Sequence, residues 1–385
     1  MKILLVEDER EKAEKIRLLI TGELDSDAYE LTTVETVNDA IMRLGDTKFD
    51  LCIVDLVLPQ VKNGEKIDAT MQWCELIENH LTGRIASWIV MTGYSEIAAS
   101  ARHSFAHHDV AVIPYDNSRV WEGNLVRKLR DTYETRPLDF VVVCALEKER
   151  RGFQMTQCIL GERTSFLGLD CQPAKIGNWR GMIVTQPSPG MISAAIVATK
   201  ALTAFRPQAV AMAGICGGRE GETRLGALIV PDLSWNYQSG KFKEGKLTPD
   251  LLHVLVTPTT RTGLDLLCTD ENSSALRNGL MNSDLAHEKI QLAPMVSGSQ
   301  VVADKTVSEM IGDQGRKVAG IDMEVASIYF AARDFFDGGG IYFAAKTVVD
   351  LANPYKDDRY HEYGCALSAR FVTQALESLL SAEPG

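Results

Sequence analysis

The 385-residue chain has no apolar run approaching the ~20 residues needed to span a bilayer, which argues against a membrane partner. It has no C-x-x-C pair: its eight cysteines (52, 74, 144, 158, 171, 216, 268 and 365) are scattered, which argues against a disulfide framework or a zinc ribbon. Positive charge is also scarce, with 40 Lys+Arg against 52 Asp+Glu and a net charge of −12. A protein that coats nucleic acid must meet a polyanion with cations, so no nucleic-acid partner is expected. Neither an internal repeat nor a low-complexity tract occurs. The opening MKILLVEDER turns acidic after a few apolar steps, unlike a signal peptide, so the expected compartment is cytoplasmic with reduced thiols. What is present is ordinary globular composition, 45% hydrophobic and 24% charged, at a length that suggests two domains.

The pattern supports that division. Lys2–Val6, Tyr29–Val34, Asp50–Asp55, Ala86–Met91 and Val110–Ile113 read as short buried parallel strands. Helical stretches alternate with them, such as Glu11–Gly22 with Ala13, Ile16, Leu19 and Ile20 on one face. Residues 1–133 therefore read as one doubly wound five-stranded α/β domain. Residues 134–138, with Pro137, read as a linker. Residues 139–385 read as a second α/β domain with strands at 139–145, 181–185, 209–213, 225–230, 290–297 and 341–349, and helices including 191–204, 323–335 and 361–380. The stretch 231–290 shows no clear period. Of the excess negative charge, most falls early: 16 basic and 24 acidic residues precede Asp139, against 24 and 28 from there on.

Ligands of open α/β sheets sit outside the carboxyl ends of the strands. In the first domain those ends carry Glu7-Asp8, Asp55 and Thr92. Each acid alone reads as a solvated loop residue, but three converging carboxylates repel one another unless a cation such as Mg²⁺ lies between them, and the joint pattern reverses that reading. With VEDE (Val6–Glu9), IVDLVLP (Ile53–Pro59), Asn63-Gly64 and MTGYS (Met91–Ser95), residues 1–131 resemble a response-regulator receiver domain. The resemblance implies that Asp55 is the phosphoacceptor and that Glu7, Asp8, Asp55 and the Val57 carbonyl hold Mg²⁺. It further implies Thr92 as the switch hydroxyl and a cognate histidine kinase or phosphotransfer protein as partner. The lysine that receivers carry before the last strand's proline is here Ile113, and the aromatic switch position is Val110.

The second domain places Ala145-Leu146-Glu147-Lys148-Glu149 at a strand-to-helix junction and AGICGG (Ala213–Gly218) at what reads as a glycine-rich strand exit. Farther on come VSGSQVVAD (Val296–Asp304), GIDMEVAS (Gly320–Ser327) and AAKTVVD (Ala344–Asp350). Asp322 and Glu324 stand where a helix begins, so either they cap that helix or they accept hydrogen bonds from sugar hydroxyls. Asp350 ends an apolar strand and is placed to donate a proton. In this order the segments resemble the nucleoside phosphorylase/nucleosidase superfamily, closest in pattern to methylthioadenosine/S-adenosylhomocysteine nucleosidases with their AMEEE, GSAGG, MEATA and SD motifs.

That resemblance implies a mixed-sheet α/β catalytic domain needing no cofactor for cleavage. Glu149 would activate water, Asp350 would protonate the purine, Glu324 and Asp322 would face the ribose, and Met323 would pack on it. Val302 would meet the base edge, with Gly214 and Gly217 lining the site. Val349 and Ile215 depart from the family's usual serine and Ser/Thr. The phosphorylases' free-phosphate positions are not matched, which favours hydrolysis over phosphorolysis.

Arg150, Arg151, Arg219 and Lys346 stand near these motifs and are candidates for substrate phosphate, or ordinary surface cations. A receiver joined to a nucleosidase also resembles the effectors of Detocs-type antiphage two-component systems, which implies ATP as the purine nucleotide substrate and adenine as product. Two other functions stay open: a regulated housekeeping nucleosidase or phosphorylase acting on methylthioadenosine, S-adenosylhomocysteine or adenosine, and a non-catalytic purine sensor. A homo-oligomer is implied by the superfamily resemblance.

Overall fold

A computed structural model describes the chain except residues 25–28, 48, 81–86, 109, 136, 244–245, 251, 281–284, 286–287, 303, 352–357 and 383–385. It divides into two compact units, Met1–Arg136 and Pro137–Pro384. No described helix is long and apolar enough to cross a membrane.

The first unit holds five parallel strands, Lys2–Val6, Glu30–Val34, Leu51–Asp55, Ser87–Thr92 and Val110–Pro114, in the spatial order second, first, third, fourth, fifth. Both sheet faces are covered, because alternate residues of a strand point to opposite sides. Ile3, Leu5, Ile53 and Ile89 pack with Ile16, Ile20, Leu125 and Leu129 from helices Arg10–Glu23 and Val120–Thr135. Leu4, Val6, Cys52, Val54 and Val90 pack on the other side with Ala40, Trp73 and Ala101. A small hairpin, Val57–Pro59 with Lys66–Asp68, follows the third strand.

The second unit is built on a 13-stranded mixed sheet. Its centre is parallel: Trp179–Thr185 pairs Phe140–Cys144, which pairs Ala209–Gly218, which pairs Ile341–Asp350. Antiparallel strands extend it on both sides, among them Leu169–Ile176 against Trp179–Thr185 and Leu228–Val230 against Ile341–Asp350. Helix His361–Ala382 buries Leu367, Phe371, Val372 and Leu376 on one face of the sheet. Helices Met191–Phe205 and Val325–Phe335 cover the other with Ala194, Ala198, Val325 and Tyr329. The fold class is thus α/β in both units.

Two readings of local structure are corrected. AGICGG is not a strand exit: the strand runs on to Gly218, with a register shift between Cys216 and Gly217. The unread stretch 231–290 contains short strands such as Leu233–Asn236 and the helices Pro258–Leu267 and Asp270–Arg277, elements too brief to show a period.

The short helix Glu147–Arg151 is seated by Gly152, where a Cβ would lie 2.4 Å from the backbone oxygen of Cys365. Gly152→Ala must push helix His361–Ala382 aside. The expected cost is about 1–3 kcal/mol, seen as a melting temperature lowered by several degrees; an unchanged melt would refute this packing.

Candidate active site

Four parallel strands end on one edge of the second unit's sheet, and the site residues stand there. Just past Cys144 the chain turns into helix Glu147–Arg151, and Glu149 folds back as in a capping box. Glu149 Oε2 accepts the N–H groups of Ala145 (2.8 Å) and Leu146 (3.0 Å), and Oε1 accepts that of Ile215 (2.9 Å). The carboxylate is 1% exposed. It can lie so close to the neighbouring strand only because residue 214 lacks a side chain; a Cβ there would fall 2.1 Å from Oε1. Gly214 therefore lies under the site and shapes it.

The strand Gly320–Asp322 and helix Val325–Phe335 supply the second acid group. Asp322 spends its oxygens within the fold: Oδ1 accepts Ser297 Oγ–H at 2.6 Å, and the Val325 N–H reaches Oδ2 at 3.0 Å. Glu324 Oε1 accepts the Gly190 N–H at 2.9 Å, while Oε2 faces Lys346. Lys346 is fully buried, its Nζ 3.6 Å from both Asp322 Oδ2 and Glu324 Oε2. Burial alone would push its pKa down, but the fields of Glu149, Glu324 and Asp322 hold it above the ordinary lysine value. Burial lifts Glu324 to about 7; Lys346 opposes this, while Asp322 and Glu149 add to it.

Asp350 ends its strand opposite Gly217. A cavity of about 240 Å³ opens at this edge, lined by Glu149, Asp322, Met323, Glu324, Val302, Gly217 and Asp350 together with Lys148, Gln300 and His361. The structure thus brings together every residue suggested for catalysis or sugar binding except Gly214. A groove of about 480 Å³ adjoins it, sharing Pro189 and Met323 and lined by Met191, Ile192, Ile196 and Val197.

The suggested phosphate-binding cations do not line this cavity. Arg150 is buried against Glu147 and Asp170, and Arg151 is exposed beside Glu147. Arg219 donates to the Val318 carbonyl and to Glu222. Lys346 lies beneath the cavity as the counter-ion of two acids. Among the described residues Lys148 is the cation on the lining, its Nζ within hydrogen-bond distance of His361 Nδ1. His361, 213 residues away, gave no signal in sequence.

In the first unit, Glu7, Asp55 and Thr92 are buried at the sheet's carboxyl edge, where Tyr94 N–H donates to Thr92 Oγ1 at 3.2 Å. At the expected Mg²⁺ set of Glu7, Asp8, Asp55 and the Val57 carbonyl, an ammonium group already stands between two of the acids. Lys12 Nζ stands 2.7 Å from Glu7 Oε2 and 2.6 Å from Asp55 Oδ2. Lys66 pairs with Asp8 Oδ2 at 2.9 Å while Asp8 Oδ1 is buried with no hydrogen-bond partner, and the Val57 N–H donates to Asp55 Oδ1 at 3.2 Å. Among the described residues no three or more His, Cys, Asp or Glu side chains form a group that could hold a metal ion. Burial lifts Glu7 to about 7, countered by Lys12 and reinforced by Asp55.

The family model described as the Phosphorylase superfamily matches residues 139–380, and the chain belongs to that superfamily. Along its full length it resembles the uncharacterized protein y4jS of Sinorhizobium fredii, 27% identical over 415 residues covering 99% of this chain and 100% of that protein. It is 23% identical over 216 residues to the ATP nucleosidase Cap17 of Escherichia coli, covering 52% of this chain but 42% of Cap17. In fold it matches a 5′-methylthioadenosine/S-adenosylhomocysteine nucleosidase of Neisseria meningitidis solved with methylthio-immucillin-A. The TM-score is 0.50 at 16% identity, over 63% of this chain and 100% of that one.

Two measurements test the geometry. Gly214→Ala must displace the Glu149 carboxylate; the expected result is loss of base-releasing activity exceeding any loss of stability. A carboxyl whose folded pKa is raised stabilises the fold below its ordinary value of 4.5, and that contribution is lost as pH rises through about 7. Melting temperatures should therefore decline across this window, and Glu324→Gln should decline less; parallel pH profiles would remove Glu324 from the account.

Proposed function

We propose that the Pro137–Pro384 unit hydrolyses the N-glycosidic bond of a purine nucleotide, ATP foremost, releasing adenine and ribose 5′-triphosphate. The observation that carries this is the single cavity joining Glu149, Glu324 and Asp350 to the Lys148–His361 pair. In the proposed reaction the oxygen of a water bonds to C1′ while Glu149 takes the proton that the water gives up. The C1′–N9 bond breaks as Asp350 gives a proton to N7, so the base leaves neutral. Glu324 accepts hydrogen bonds from the ribose hydroxyls, and Met323 packs on the sugar. Val302 and Gly217 offer backbone to the substrate, and Lys148 meets its phosphate oxygens. The match to a relative described as an ATP nucleosidase supports this substrate.

We further propose that residues 1–133 act as a receiver-type input, with Asp55 accepting a phosphoryl group from a histidine kinase or phosphotransfer protein and Thr92 answering it. Gating of this kind suits a cytoplasmic antiphage effector, whose activity would exhaust the cell's ATP if left unchecked. Ile192 and Ile196 are 78% and 54% exposed beside the active-site groove and suit a homo-oligomer contact. A second reading, cleavage of methylthioadenosine or a related nucleoside, is favoured by the groove's apolar side chains, which suit a 5′-thioalkyl group.

Incubation with ATP, AMP, adenosine and methylthioadenosine, with and without a phosphoryl donor, separates the readings. Adenine from ATP is the expected product; adenine from nucleosides alone would select the second reading, and none from any would leave a purine sensor. Asp350→Asn should lower kcat by roughly 10²-fold or more while circular dichroism is unchanged. Retained activity would refute Asp350 as the acid.

A further inference from the structure

Two of the acids at the carboxyl edge of the first unit's sheet, Glu7 and Asp55, share one ammonium group. Helix Arg10–Glu23 has Lys12, Ile16 and Ile20 one turn apart on its buried face. The two isoleucines pack against the sheet, and the same face delivers the Lys12 amine between Glu7 and Asp55. Lys12 is 3% exposed, and the Tyr115 ring centroid lies 5.2 Å from its Nζ. The remaining Asp55 oxygen accepts the Val57 N–H; Lys66 pairs with Asp8 Oδ2, and Asp8 Oδ1 is buried with no hydrogen-bond partner, one oxygen alone where a divalent ion needs several. Ile113, where the receiver resemblance calls for lysine, is buried in the apolar cluster with Ile16, Ile20 and Trp121.

We infer that Lys12 is the resident cation of this pocket, standing where a magnesium ion would stand in a metal-dependent receiver, so that the pocket takes up no divalent cation. A magnesium ion needs near-octahedral oxygen ligands at about 2.0–2.1 Å, and the oxygens of Glu7 and Asp55 that could serve are bound to one ammonium group. A dication entering beside that amine would meet like charge in a buried site, where screening is weak. The positive charge absent at position 113 is supplied from the first helix instead of the last strand. This inference concerns the first unit alone and stands whatever the second unit cleaves.

Equilibrium dialysis of the full chain against Mn²⁺, read by electron paramagnetic resonance, tests it. The wild type should hold no ion whose binding depends on Asp55. Lys12→Met should gain one ion per chain, displaced by excess Mg²⁺ and lost again in the double variant with Asp55→Asn. One wild-type ion abolished by Asp55→Asn would overturn the inference, as would a folded Lys12→Met that gains none. The wild-type arm decides independently of any variant's folding. Should Lys12→Met fail to fold, Lys12→Gln keeps a donor toward Asp55 and serves the same comparison.

Discussion

The active-site end of the second unit depends on one buried ammonium group. Lys346 has no exposed surface, and two carboxylates, Asp322 and Glu324, stand 3.6 Å from its Nζ, with Glu149 contributing to its field. Acids gathered this closely away from water repel and would take up protons without a cation among them. Removing one partner from such a group is costly, because it leaves uncompensated charge in a place of low polarity. Each acid has a second anchor: Glu149 takes three backbone N–H groups, Asp322 takes Ser297 and the start of a helix, and Glu324 takes Gly190. Lys346 supplies the charge and the backbone supplies the directions.

The first unit meets the same constraint with different parts. Parallel strands bring their carboxyl ends to one edge, and acids placed there must be neutralised. In the Met1–Arg136 unit, Lys12 reaches in from a helix and Lys66 from a small hairpin. In the Pro137–Pro384 unit the cation comes from within the central strand itself, four residues before Asp350. An open α/β sheet thus invites a cluster of acids, and the source of the balancing cation is left to the individual sequence.

Much of this is legible in the sequence. The strands of the first unit and the central strands of the second announced themselves as continuous apolar runs, and the acids stood at their ends. The cations were misjudged, for a physical reason. A lysine or arginine in a sequence reads as a solvated charge, and its burial is decided by acids far away along the chain. Lys12 meets Asp55 across 43 residues, and Lys148 meets His361 across 213. Arg150 and Arg219, which looked available to a substrate, are engaged by Glu147, Asp170 and Glu222. The antiparallel strands between Ile159 and Ile176 are hard to read because Ile159–Leu160 and Thr164–Phe166 are so short and Pro173 interrupts the alternation of Leu169–Ile176.

The register shift between Cys216 and Gly217 gives the site an arithmetic of its own. Up to that point the two strands advance together, Cys216 beside Val348; one step on, Gly217 stands beside Asp350 and Val349 has been passed over. Successive strand residues point to opposite faces, so one extra residue reverses which face the next side chain looks upon. The spacing from Lys346 to Asp350 is therefore a matter of parity as well as distance. A relative could exchange the residues between them and keep the site, whereas loss or gain of a single residue would turn the terminal acid toward the opposite side of the sheet.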